Sequence, residues 1–166
     1  MPDLVTHALS AYILASPIKD RRVPLIFVFG SVLPDVLNVL QTIVVYVAYK
    51  IFHVIFPDWV EFGIRVTHTP IPLLFVCWTL VFTIPEQHRQ QWFIWLVLGS
   101  WWHLVLDVMQ RHYDTPMYFI FYPFNDQLFE FGLMDTEASL KAIPILIVLS
   151  MCVWFWRRWR LKGDEL

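Results

Sequence analysis

An all-α integral membrane bundle, with about four to five membrane helices plus an amphipathic or re-entrant helix, is the fold this sequence predicts. Three observations predict it. Hydrophobic residues make up 58% of the chain and charged residues 16%, against about 45–50% apolar and about 25% charged in soluble domains. The apolar residues gather into long runs separated by short polar turns, the pattern of helices wet on few faces or none. Aromatic residues reach 17%, and Trp and Tyr suit the bilayer interface because each ring joins an apolar body to a polar tip. The chain has 166 residues and no composition shift, repeat or Gly/Ser linker, so a single membrane-embedded domain over residues 1–166 is expected.

Six candidate helices follow in order: Leu4 to Ser16, Val23 to Leu33, Val36 to Phe56, Ile71 to Ile84, Trp92 to Met109 and Ile143 to Trp156. The first two reach only about 16–20 Å, short of a hydrocarbon core of about 30 Å. They must be extended, tilted into a thinned bilayer or sheltered by neighbours. Arg157, Arg158, Arg160 and Lys162 follow the last run and belong on the cytoplasmic side, which places the C-terminus inside. Counting back puts the loop Arg111 to Lys141 outside, the turn Glu86 to Gln91 with His88 inside, and His68 outside. The hairpin turn Lys19 to Arg22 also favours the cytoplasm, leaving Met1 and Pro34-Asp35 outside. Val36 to Phe56 would then begin and end outside. Within it Asn38, Thr42, Tyr46, Tyr49 and His53 recur every three or four residues, with Lys50 beside them. That stripe predicts an amphipathic helix along the outer surface; the alternative is a tilted span with the stripe facing the bundle.

Several function classes drop out. A net charge of −2 excludes a strongly basic nucleic-acid surface, so nucleic acid is not expected as a partner. Met1 to Leu4 lack a basic segment and no small-x-small site follows, so no cleaved signal peptide is expected. The tail Gly163 to Leu166 is a poor match to an endoplasmic-reticulum retention signal. Cys77 and Cys152 lie inside apolar runs with no CxxC, and both are expected to be buried packing residues.

The chemistry concentrates in a few His and Asp residues. His103 and Asp107 are four apart in an apolar helix, so their side chains lie about 40° apart around the axis, one turn apart along it. A carboxylate at bilayer depth is costly unless neutralised, and an adjacent imidazole is a natural co-ligand for a divalent cation. Taken alone, the pair reads more readily as a neutral His satisfied by Asp. It is joined, however, by His7 in Thr6-His7, Asp35 in Leu33-Pro34-Asp35 and His68 in Thr67-His68-Thr69, all assigned to the same leaflet. Three imidazoles and two carboxylates make a metal-site inventory, and one or two zinc-like ions would turn carboxylate repulsion into ligation. His112, Asp114 and Asp126 fall in the outer loop near the proposed mouth and are expected to be mainly solvated. His53 and His88 read as stripe and turn residues, Trp101 and Trp102 as packing or interface anchors.

The ordered set Thr6-His7, Gly30 to Asp35 as G-x-x-L-P-D, Thr67-His68-Thr69 and Gly99 to Asp107 as G-x-x-x-H-x-x-x-D, with Tyr122-Pro123-Phe124 beyond it, resembles the YdjM-like family of membrane-bound metal-dependent hydrolases. That family is similar in turn to zinc-dependent phospholipase C and the P1-type nucleases. The resemblance implies a bacterial inner-membrane location, and one ion held by Asp35, His68 and His103, a second by His7, and Asp107 bridging them. One departure is Gly63-Ile64-Arg65, where the family carries His-Arg-Gly. The expected function is metal-dependent hydrolysis, with Asp35 and Asp107 as catalytic residues and a membrane lipid or lipid-linked phosphoester as substrate. Two alternatives stand beside it: a metal-ion carrier component, and a non-catalytic membrane subunit with a structural metal that binds a protein partner through the aromatic loop Tyr118 to Phe131.

Overall fold

The computed structural model describes residues 4–111, 120–125, 127 and 129–163. His112, Asp114, Asp126 and Tyr118, singled out above, lie outside the described residues. The apolar runs form α1 (Leu4–Ala15), α2 (Val23–Phe52), α4 (Pro70–Val81), α5 (Glu86–Met109) and α6 (Thr136–Gly163), and a further helix α3 (Asp58–Val66) lies between α2 and α4. Of these, α2, α5 and α6 are long and apolar enough to cross a membrane, while α1 and α4 are shorter apolar helices. The all-α membrane bundle is therefore the observed fold.

The expected break between the second and third apolar runs is absent. Residues 23–52 form one helix straight through Pro34. A proline inside a helix withholds the N–H that should bind the carbonyl four residues back and crowds that carbonyl. Here that carbonyl is Gly30 O, and it accepts instead from Ser100 Oγ of α5 at 3.0 Å. A hydroxyl from the neighbouring helix thus replaces the missing donor, which lets the helix continue in an apolar setting. Ser100→Ala is expected to orphan this buried carbonyl and lower stability by about 1–3 kcal/mol, read as a lower melting temperature in detergent; an unchanged melting temperature would mean that Pro34 is tolerated for another reason.

A second correction concerns the stripe at residues 38–53. It belongs to the continuation of α2 and not to a separate helix, and it does not turn to the bundle as the alternative had it: Asn38 is half-buried, and Thr42, Tyr46, Tyr49 and His53 are exposed. The half-buried face is Leu37, Gln41, Val45 and Ala48, and Thr67 Oγ donates to Gln41 Oε1 at 3.2 Å. At 1.5 Å per residue a 30-residue helix is about 45 Å long, longer than the hydrocarbon core of about 30 Å. The parity difficulty disappears with this, because residues 36–52 are no additional segment. The helix ends at His53, whose φ of 52° is left-handed, and α3 carries the chain back to His68 and α4.

One end of the bundle is basic. Arg22 Nη1 lies 3.2 Å from His88 Nε2, Gln91 Nε2 donates to Asp20 Oδ2 at 2.6 Å, and Arg157 donates to Ser16 O and Asp20 O at 2.7 and 2.9 Å. Hydrogen bonds from the Arg22 backbone N–H and the Gln91 amide hold the Asp20 carboxyl below its ordinary value, because both favour the charged form. The α1–α2 turn, the start of α5 and the end of α6 therefore meet at one level. At the other end Gln110-Arg111 (β1) pairs in parallel with Met134-Asp135 (β2).

Packing is closest between α2 and α5. A Cβ on Gly99 would lie 2.2 Å from Phe27 O and 2.9 Å from Ser31 N, and one on Gly30 would lie 2.4 Å from Leu96 O. These glycines let two backbones approach as small residues do at membrane helix crossings. Around the crossing Ile26, Leu33, Cys77, Val81, Leu96 and Val97 form the main core. Ala11, Ala15 and Phe27 form a second cluster, against which Trp95 and Trp102 pack. Cys77 is buried as expected, but Cys152 is exposed on α6, which packs against α1 and leaves most of its surface uncovered. In a membrane that surface meets lipid, so an apolar run did not imply burial inside the protein.

Candidate metal centre

The five residues singled out from the sequence come together. His7 sits in the first turns of α1, Asp35 lies midway along α2 just after Pro34, His68 occupies the α3–α4 turn, and His103 and Asp107 follow one another on α5. All are buried: His7 and His103 are 0% exposed, Asp107 1%, Asp35 5% and His68 6%. The close crossing at Gly30 and Gly99 brings α2 and α5 near enough for this, one turn before Asp35 and His103 respectively.

His103 is at the centre. Its Nδ1 lies 2.7 Å from Ser31 O; a carbonyl only accepts, so Nδ1 carries the proton and Nε2 is left with a lone pair in the neutral ring. That Nε2 is 3.1 Å from Asp107 Oδ2 and 3.8 Å from Asp35 Oδ1. His7 Nε2 is 3.4 Å from Asp107 Oδ1, and His68 Nε2 is 3.6 Å from Asp35 Oδ1. The His7 and His103 rings stack at 4.0 Å and the His68 ring tilts against His103 at 5.4 Å.

This arrangement leaves its polar atoms unpaired. His7 Nδ1 and Nε2, Asp35 Oδ1, His68 Nε2, His103 Nε2 and both Asp107 carboxylate oxygens are buried without a hydrogen-bond partner, although buried polar groups are nearly always bonded. A divalent cation would supply what they lack. The groups His7, His103, Asp107 and Asp35, His68, His103 each gather three donor atoms within 4.8 Å of one another, so each could hold a metal ion. The fit is also metric: bonds of about 2.0–2.1 Å to zinc place neighbouring tetrahedral donors about 3.3 Å apart, close to the 3.1–3.8 Å separations seen here.

The remaining expectations divide. Trp102 Nε1 donates to Ser10 Oγ at 3.2 Å, fastening α5 to α1 as a packing residue. Trp101 is 43% exposed and lines an apolar groove instead. His53 caps α2 and His88 belongs to the basic end, so neither joins the centre. Tyr122 packs edge-on against Phe62 at 5.6 Å. The departure at Gly63 to Arg65 falls on α3. Among the described residues no cluster of ligating side chains occurs outside these two groups.

Sequence reasoning missed Gln110. It is 1% exposed, and its amide nitrogen and oxygen both lack partners. Its position, seven residues after His103 and three after Asp107, returns it to within about 20° of His103 around a helical repeat; H-x-x-x-D-x-x-Q was the signal. The two glycines were quoted in the motifs, but nothing in one dimension said what they approach.

Among known proteins, no curated protein and no solved structure matches the chain. The model of a family described as YdjM inner membrane protein matches residues 1–163, spanning all five buried His and Asp residues together with α2, α5 and α6. The chain is thus an integral membrane protein and belongs to the YdjM inner membrane protein family.

Proposed function

We propose that this protein is a membrane-embedded metal-dependent hydrolase acting on a phosphoester of a lipid or lipid-linked headgroup. The observation that carries this reading is the set of buried, unpartnered His and Asp donors spaced like the corners of a metal coordination shell. Because Nδ1 of His103 is engaged by Ser31 O, His103 offers a single lone pair and can serve only one of the two groups it belongs to. Asp35, His68 and His103 would hold one ion. Asp107, whose Oδ1 faces His7 and Oδ2 faces His103, would reach both that ion and a second one on His7. Zinc fits the imidazole and carboxylate donor set. A bound divalent ion supplies Lewis-acid polarisation of the scissile oxygen and lowers the pKa of water towards neutrality. Asp35 touches the centre by one oxygen and has the position to accept a proton.

A phosphoester is taken as the substrate because divalent ions favour phosphate oxygens; it is also the class that a similarity of the family to zinc-dependent phospholipase C and the P1-type nucleases would imply. A lipid-linked one is supported by the surroundings. Beside the centre, Pro70, Trp101, Val105, Val108, Phe121 and Phe131 help line an apolar groove of about 690 Å³, within the roughly 300–1,000 Å³ of small-molecule sites. Pro70 is two residues from His68 and Val108 is next to Asp107 in the chain, so a lipid chain held in the groove would lie close to two of the ligands. With the arginines of the basic end held in the cytoplasm, the centre serves the non-cytoplasmic leaflet.

Purified protein in detergent is expected to carry one or two zinc ions per chain and to release phosphate or a headgroup from a lipid phosphoester. Chelation should abolish turnover and zinc should restore it. A parent protein without stoichiometric metal overturns the proposal; stoichiometric metal without hydrolysis of any phosphoester lipid points to the structural-metal alternative.

A further inference from the structure

We infer that Gln110 is a substrate-binding residue of the metal centre, its side-chain amide hydrogen-bonding an oxygen of the phosphate group. The inference rests on the hydrolase reading and adds to it a residue that neither the family motifs nor the ligand set includes. Leaving an amide buried with both ends unbonded is costly, and natural structures keep few such groups. Among the described residues, the buried side chains with unpartnered polar atoms are, besides the five His and Asp residues, Gln110 and Ser150. Ser150 lies far along α6, whereas Gln110 closes α5 immediately after the ligands.

Its placement is well defined. The Gln110 N–H donates to Asp107 O at the end of α5, and its backbone pairs with Met134 in the β1–β2 ladder. Phe131 N–H donates to Val108 O at 2.7 Å and Leu133 N–H to Met109 O at 2.8 Å. The returning segment therefore clamps the backbone on either side of Gln110, and its position seven residues after His103 and three after Asp107 puts it in helical register with their face of α5. An amide suits a phosphate oxygen: it donates two hydrogens without adding a charge that would compete with the ligands for the ions. A carboxylate there would repel an anion, and a lysine would repel the metal.

The variants Gln110→Leu and Gln110→Glu test this on zinc-loaded protein in detergent, with inorganic phosphate as the probe, zinc content by elemental analysis, phosphate affinity by calorimetry, and melting temperature. Gln110→Leu is expected to keep the parent's zinc content and to melt at or above the parent, because an unpaired buried amide is removed. Its phosphate affinity should fall about tenfold or more, the loss typical of a hydrogen bond to a charged group. Gln110→Glu should bind phosphate more weakly still. Parental phosphate affinity in Gln110→Leu overturns the inference while leaving the hydrolase reading intact. So does a loss of zinc, which would make Gln110 a ligand, or a clear drop in melting temperature, which would make it structural. A parent that binds no zinc removes the hydrolase reading and the inference with it; a parent that binds zinc but no phosphate removes the inference alone.

Discussion

His103→Ala is expected to strip the purified protein of stoichiometric metal, with an affinity loss above about 100-fold, since even outer-shell partners of metal ligands are worth about 10–100-fold. The size of the effect follows from position. His103 Nε2 belongs to both ligand groups, and its ring is oriented by Ser31 O and stacked on His7. Removing it deletes a donor from whichever ion uses it and leaves Asp35 and Asp107 facing each other without the imidazole between them. The same experiment carries a stability readout. An ion that binds only the folded state stabilises it by about 2.7 kcal/mol at a hundredfold excess over its dissociation constant, so chelation should lower the parent's melting temperature. The melting temperature of His103→Ala should not respond to chelator. A His103→Ala protein that retains parental metal would remove His103 from the centre, and a parent indifferent to chelator would make the cluster a set of His–Asp pairs with no ion.

The second large effect is expected at a residue that touches no ligand. A methyl on Gly99 would sit 2.2 Å from Phe27 O and 2.9 Å from Ser31 N. Both obstacles are backbone, so no rotamer change relieves them and the helices must move apart. Overpacking costs about 1–3 kcal/mol where side chains can yield, and Gly99→Ala should reach the top of that range or exceed it. Metal content should fall as well, because separating α2 from α5 pulls Asp35 and Ser31 away from His103. Gly63→Ala is the control. A Cβ there meets nothing within 4 Å, and glycine inside a helix costs about 0.5–1 kcal/mol relative to alanine, so this variant should melt slightly higher with its metal unchanged. If Gly99→Ala melts within about 0.5 kcal/mol of the parent, the range of neutral surface changes, and keeps its metal, the close crossing does not build the centre.

Much of the fold was legible because it is one-dimensional in origin. Apolar runs between polar turns specify membrane helices wherever the chain folds, and Trp92 to Met109 became the greater part of α5. Boundaries drifted where polar residues continue a helix into the interface: α5 begins at Glu86 and α6 runs from Thr136 to Gly163. The helix α3 went unread, because its nine residues are too few and too mixed to stand out beside the apolar runs. Pro34 misled because its usual consequence is local, a lost hydrogen bond, while its remedy is Ser100 on another helix. The stripe from Asn38 to His53 was legible as one face of a helix, but periodicity does not say that this helix is the continuation of α2.

The amino-acid sequence by itself determined the membrane class, most of the helices, and the five side chains able to ligate a metal, for these follow from hydropathy and from the donor atoms each residue carries. Only the tertiary structure decided that α2 runs unbroken through Pro34, that Gly30 and Gly99 set the distance between α2 and α5, that Ser31 O leaves the Nε2 lone pair of His103 free, and that Gln110 is buried without partners. The reason is physical. A residue's chemistry is its own, but its hydrogen-bond partner, its burial and its distance from a neighbour belong to pairs of residues far apart in the chain, and they exist only once the helices have packed.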